Sequence, residues 1–272
     1  MKKSLSNIYI ALIMLFLYAP MIVMVVLSFN SSNSTSVMAG FSLKWYEEML
    51  KDNVTLTALR NTLVLAVVSS LISTVIGTAA AVGIDMMKKK WLQSTVLTVT
   101  NIPMMNPEIV TGVSMMLLFV FVGKFVGAQD VLGFPTLLIA HITFNLPYVI
   151  LSVLPKLRQT DPHLAEAAQD LGSTPLQAFF KVVLPNISSG IVTALIMAFT
   201  LSLDDFIISY FVSGAKFQTL PIVIFSMTKK RVTPDIYALS TVIFIAVLLL
   251  LVIMNVLQSR AEKKELKAKG AK

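Results

Sequence analysis

Three carboxylates stand where an apolar chain has least use for them. Glu108 lies inside one hydrophobic stretch, and Asp204 and Asp205 lie side by side in another. A charged side chain at the centre of a membrane helix costs about 2.5–3.5 kcal/mol on insertion scales, so each must face a partner or a water-filled path. Carboxylates lining such a path favour a cation, to which Phe206, Tyr210 and Phe211 could add cation–π contacts. If the stretch holding the aspartates is one continuous helix, Ser202, Asp205, Ser209 and Ser213 share a polar stripe, with Asp204 about 100° away beside Leu201, Ile208 and Phe211. That geometry selects Asp205 for the lumen. Asp204 has two readings, a bond to a neighbouring helix or second subunit, or a place in the path. Glu108 has two as well, the path or a cap on the amides freed where a helix restarts after Pro107.

Other chemistries find no residues. The sequence holds no G-x-x-x-x-G-K-[ST] loop, so ATP phosphates cannot be cradled here in the usual way and the chain is not an enzyme by itself. Cysteine is absent, and the two histidines, His141 and His163, make no metal or catalytic spacing. His141 reads as a packing or interfacial residue. A nucleophile elbow and an H-E-x-x-H helix are both missing. The formal charge of +8 sits beside apolar stretches instead of forming a basic stripe interleaved with aromatics, which points to membrane lipids and not to nucleic acid.

The elements that must position these groups are membrane helices. With 272 residues, 56% hydrophobic and 13% charged, the chain is too apolar for a soluble domain. Six stretches are long enough to cross a bilayer: Ile8 to Phe29, Leu59 to Met87, Leu92 to Val122, Leu132 to Leu154, Ile187 to Val212 and Ile236 to Leu257. The first is too long for a signal peptide and lacks a clear cleavage site. A cytoplasmic N-terminus collects on that side Lys2, Lys3, Lys88 to Lys90, Lys156, Arg158, Lys181 and the basic residues from Arg260 to Lys272, most of the 22 in the chain. Both termini are therefore expected in the cytoplasm of a bacterial plasma membrane, with Asn30 to Ala58 outside and Trp45 and Tyr46 at the outer interface. Gly77, Ala79, Ala80, Ala81 and Gly83 are expected to let another helix close to the second span. Pro103 and Pro107 break or kink the third. The reading is one all-α membrane domain, residues 1–260, and a charged tail, 261–272, solvated as a helix end or disordered.

Between the fourth and fifth stretches lies a polar, helix-punctuated loop, 161–185. Asp161 and Pro162 offer an N-cap and a first-turn proline, Leu164, Ala167, Ala168 and Leu171 recur at helical spacing, and Gly172 stands where a helix end wants a left-handed residue. Thr174, Pro175 and Gln177 form a capping box, and Leu176, Phe179, Phe180 and Val183 mark a second apolar face that Pro185 is expected to end. Glu166, Ala167, Ala168, Gly172, Leu184 and Pro185 match the E-A-A-x3-G-x9-I-x-L-P motif of ABC importer permeases, with Val182 in place of Ile the one departure. The runs FNSSNST, GFSLKWYEEML, AHITFNLPYVI and FTLSLDDFIISYFVSG extend the likeness, and the chain resembles the permeases of spermidine/putrescine ABC importers.

That resemblance implies a type I, MetI-like fold of six transmembrane helices. It implies a second permease, two ATPase subunits that hold ATP and Mg, and an extracytoplasmic binding protein. The 161–185 loop would be the coupling helix that docks on an ATPase, and polyamine would pass between the permeases. The same architecture with another cargo, such as iron, thiamine or an opine-like amino acid, remains a reading. So does an ion-coupled secondary transporter with protonatable carboxylates, against which the coupling motif argues.

Overall fold

In the computed structural model, which describes residues 2–32, 37–128, 130–161, 163–230 and 234–270, the chain is helical, and no strand occurs among the described residues. The helices are α1 (Lys2–Leu27), α2 (Lys44–Lys51), α3 (Asn53–Asp85), α4 (Lys90–Met105), α5 (Glu108–Val126), α6 (Phe134–Gln159), α7 (Leu164–Asp170) and α8 (Pro175–Ala178). A π-helical turn, Phe179–Val183, leads into α9 (Leu184–Asn186), α10 (Ser188–Asp204), α11 (Ile207–Val212), α12 (Leu220–Lys230) and α13 (Pro234–Gly270). Among the described residues five helices are long and apolar enough to cross a membrane, and the pair Pro175–Asn186 and Ser188–Asp204, bent by 69°, makes a sixth if it counts as one span.

Two of the expected spans are interrupted. The stretch Leu92 to Val122 divides at Asn106, which takes the extended conformation (φ −77, ψ 142) that a residue before proline prefers. Only α5, beyond the break, has the length and hydropathy of a span. Pro103 stays inside α4, so one proline breaks the chain and not two. The stretch Ile187 to Val212 divides at Asp205 (φ −62, ψ 121), leaving α10 with 17 residues, about 25 Å at 1.5 Å per residue. α13 continues into the charged tail as far as Gly270.

The chain falls into two compact units, one of residues 1–57 and 223–253, the other of 58–222 and 254–272. In the first, the apolar length of α1 is exposed. Beyond it Asn30 organises the loop: its amide donates to the Val37 carbonyl at 2.7 Å and its Oδ1 accepts from the Ala39 amide at 3.0 Å. Trp45 is buried, its indole N–H donating to the Asn30 carbonyl at 2.7 Å, so it anchors this loop from within. Tyr46 hydrogen-bonds Ser28 at 2.6 Å. Residues 33–36 of this loop lie outside the described residues.

In the second unit α6 is the central element. Ala81, Ile84, Val149, Ile150, Val153, Ile187, Ala194 and Ala198 form one buried cluster, and Leu65, Leu137, Ala140, Phe144, Ile208 and Val212 another. Small residues set these approaches. A Cβ on Gly77 of α3 would lie 2.5 Å from the Val149 side chain, and one on Gly190 of α10 would lie 2.9 Å from Lys156 Cβ. Gly77 and Ala81 are buried as the small-residue run predicts, whereas Ala79 and Gly83 are exposed, since successive small residues cannot all share one helix face. Arg158 meets Asp85 at 3.5 Å and ties the ends of α6 and α3.

Candidate functional site

The motif loop 161–185 folds on its own hydrogen bonds. Asp161 is not the N-cap of α7: the helix starts at Leu164 with His163 at the cap position, and the Asp161 carboxylate accepts from the His163 amide at 2.9 Å. Pro162 lies outside the described residues. At the other end the Ser173 amide donates to the Ala168 carbonyl (3.1 Å) and the Gly172 amide to the Gln169 carbonyl (2.9 Å). That bond pair is a Schellman motif, and it requires the left-handed φ of +88° that Gly172 adopts. The Thr174 hydroxyl then accepts from the Gln177 amide while the Gln177 side chain accepts from the Thr174 amide, completing the expected capping box.

Pro185 does not end this helix. A proline in a helix clashes with the carbonyl four residues back and gives no N–H. The π-helical turn immediately before it widens the backbone, so that the Leu184 amide bonds the Phe179 carbonyl, and Leu184 and Pro185 continue as α9. The turn of direction comes later, at Ile187. The apolar residues also face otherwise than periodicity suggests. Ala168 and Ala178 are buried, but Leu171 (89% exposed), Leu176 (71%) and Phe180 (59%) point outward. Glu166 and Ala167 are exposed as well. His163 Nδ1 sits 2.9 Å from Glu166 Oε2, and the hydrogen bond and charge of Glu166, with a further contribution from Asp161, raise the imidazole above its ordinary pKa.

The other expected site residues gather at the two interruptions. Glu108 opens α5, and among the described residues it accepts no hydrogen bond. One turn on, Gly112 lies against α11: a Cβ there would be 3.1 Å from a Phe211 ring carbon and 3.5 Å from the Ile207 carbonyl oxygen. At 1.5 Å per residue, this places Glu108 within about one helical turn of that contact. Both helices therefore start near the same place, and Asp204 and Asp205 immediately precede α11.

The two aspartates differ sharply. Asp205 is buried, and its carboxylate accepts from the Ile208 amide (3.2 Å) and the Ser209 amide (2.8 Å), with His141 Nε2 at 3.4 Å. Phe206 holds the cap position of α11, and the Asp205 carboxylate caps the helix from one residue further out by satisfying two of its free amides. The continuous polar stripe does not exist, because the helix that would carry it stops at Asp205. Asp204 is exposed in this chain. Around the break Ser202 accepts from the Asn145 amide at 2.8 Å and bonds Ser69 at 3.0 Å, and Ser209 lies 3.2 Å from His141 Nε2. Sequence reasoning missed Asn145 and Ser69. The spacing of His141 and Asn145, four apart on one face of α6, was the available signal, as was an aspartate three residues before an amide needing a cap.

These features define a class: a multi-pass helical membrane component with a self-capped polar loop between two of its spans. The chain belongs to the family of binding-protein-dependent transport system inner membrane components, whose profile matches residues 73–267. It is 39% identical over 252 residues to the putrescine transport system permease protein PotI of Escherichia coli (strain K12), covering 93% of this chain and 90% of that one. It is 34% identical over 253 residues to the spermidine/putrescine transport system permease protein PotC of Haemophilus influenzae, covering 93% and 96%. Among solved structures, a bacterial ABC transporter involved in import of the acidic polysaccharide alginate aligns with a TM-score of 0.73 at 18% identity over 95% of this chain and 94% of that one. The MetNI methionine ABC transporter in an inward-facing form aligns at 0.60 and 20% identity over 79% and 96%. The permease fold is thus shared with carriers of very different cargo.

Proposed function

We propose that the chain is one of two permeases in an ATP-driven importer of polyamines, the putrescine/spermidine class. Its partners are a second, similar permease, two ATPase subunits that bind ATP and Mg, and an extracytoplasmic binding protein. The observation that carries the cargo reading is that Glu108, Asp204 and Asp205 stand at the two span interruptions of an otherwise apolar bundle. The names of the relatives agree with it. The alginate transporter shares the fold, so the fold by itself carries no cargo sign, and these carboxylates must supply it.

Within that reading the residues divide by role. Asp204 and Glu108 pair with no basic side chain among the described residues, and they provide transient counter-charge to a multivalent cation, holding it weakly enough to release it. Asp205 shapes the break that presents Asp204. Glu166, Ala167, Ala168, Gly172, Leu184 and Pro185 build the coupling loop, whose outward Leu171, Leu176 and Phe180 supply an apolar surface that a groove on the ATPase covers. Glu166 and His163 edge that surface with charge.

The test is reconstitution. The chain with its second permease, ATPases and binding protein should import labelled putrescine or spermidine into proteoliposomes with internal ATP. Import of neither, by a complex whose ATPase responds to its loaded binding protein, would transfer the assignment to another cargo.

A further inference from the structure

One buried network is not used by the reading above, although it surrounds the residues that reading needs. His141 and Asn145 are 1% and 0% exposed, and they stand four residues apart on α6, hence on one face. His141 Nε2 meets Asp205 (3.4 Å) and Ser209 (3.2 Å), the start of α11. Asn145 donates to Ser202 (2.8 Å), in the last turn of α10, and Ser202 in turn bonds Ser69 of α3 (3.0 Å). One helix therefore grips both sides of the interruption from adjacent turns. Such a break leaves backbone groups unsatisfied inside a membrane and is tolerated only where protein holds it. The same helix runs 26 residues to Gln159 and feeds the coupling loop.

We propose that His141 and Asn145 are positioning residues for transport: from α6 they hold α10 and α11 in register across the Asp205 break and so fix where Asp204 stands as the cation passes. The inference rests on the permease reading above. Neither residue touches the cation. Each acts through the segment on its side of the break, His141 through Asp205 and Asn145 through Ser202.

In reconstituted full complex, His141→Leu removes the donor facing Asp205, while His141→Gln keeps an N–H near the Nε2 position. The Leu variant should import labelled putrescine and spermidine about tenfold more slowly per ATP hydrolysed, as expected when a hydrogen bond to a charged group is lost. The Gln variant should stay within about threefold of wild type. Because the native chain has no cysteine, spin labels at Met197→Cys and Tyr210→Cys report the break directly, in the assembled complex and without regard to cargo. Their distance distribution should broaden in the Leu variant and remain narrow in the Gln variant. Unchanged distances and unchanged import per ATP in His141→Leu, or equal damage by Leu and Gln, would overturn the proposal. If His141→Leu does not assemble, Ser202→Ala against Ser202→Thr is judged by the same two criteria on the α10 side. A wild-type complex that imports neither polyamine refutes the cargo reading and leaves the distance measurement to decide this one.

Discussion

Single residues carry most of what separates this chain from a generic apolar bundle, and Gly172 is the plainest case. A Cβ there would meet nothing within 4 Å, so the cost of substitution is the left-handed backbone alone, about 1–2 kcal/mol for a non-glycine residue and less for Asn. Gly172→Val should leave the protein in the membrane yet weaken ATPase stimulation, and Gly172→Asn should retain more of it. Stimulation of Gly172→Val equal to wild type would remove the turn from coupling. The two aspartates offer a second contrast. Asp205→Asn turns one acceptor into a donor facing amides that already donate, a loss of about 1–3 kcal/mol, visible as a lower melting temperature in detergent. Asp204→Asn should not shift melting but should slow uptake. Equal melting of the two variants would count against Asp205 as the cap. The acidic types were legible in the sequence, whereas their different surroundings were not, because a stripe drawn on an unbroken helix puts Asp205 and Ser209 in one lumen-facing row. A buried cap and an exposed charge one residue apart become distinguishable only when the break is placed.

Elements show where local rules suffice. The capping box at Thr174 and the Schellman end at Gly172 were readable because both are set by a few neighbouring residues. The π-turn before Pro185 was not, since the proline rule says only that a regular α-helix cannot pass there, and a widened turn is the alternative that lets it pass. The exposure of Leu171, Leu176 and Phe180 was equally hidden, because a 3.6-residue period finds a face without saying what covers it. The start of α3 affords a test of a different kind. Asp52 accepts from the Val54 and Thr55 amides and from the Thr55 hydroxyl, and the Thr55 side chain is the main cause holding its carboxyl below the usual range against the opposing effect of burial. A depressed folded-state pKa means that the contribution is present above the unfolded value, about 3.9, and disappears as pH falls through the lower folded value. Between pH 5 and pH 3, wild type should therefore lose melting temperature more steeply than Asp52→Asn. At neutral pH Asp52→Ala should cost about 1 kcal/mol, the usual value of an N-cap. Parallel curves for wild type and Asp52→Asn would show that the cap does not contribute.

At the scale of the whole molecule, the open quantity is the parity of membrane crossings. Among the described residues five helices are long and apolar enough to cross, and the bent α9–α10 pair decides whether there is a sixth. α12, at 11 residues or about 16 Å, cannot span a hydrocarbon core of about 30 Å, so it does not alter the parity. Six crossings return the C-terminus to the side of the N-terminus, and five place the termini on opposite sides. The distribution of basic residues favours six, because a cytoplasmic N-terminus then gathers Lys88 to Lys90, Lys156, Arg158 and the C-terminal lysines on one side, whereas five would send the C-terminal group outward. It also makes α10 and α11 together the crossing element, α10 alone falling short of the core, so that Asp204 and Asp205 lie within the bilayer. The cysteine-free background permits a direct measurement with an impermeant thiol reagent applied to intact cells or to inverted vesicles. Leu43→Cys should label from the outside only, and Lys89→Cys and Ala268→Cys from the cytoplasmic side only. External labelling of Ala268→Cys together with cytoplasmic labelling of Lys89→Cys would mean that α10 does not cross, which would withdraw Asp204 and Asp205 from any transmembrane path and return the cation preference to the proteins that deliver the cargo.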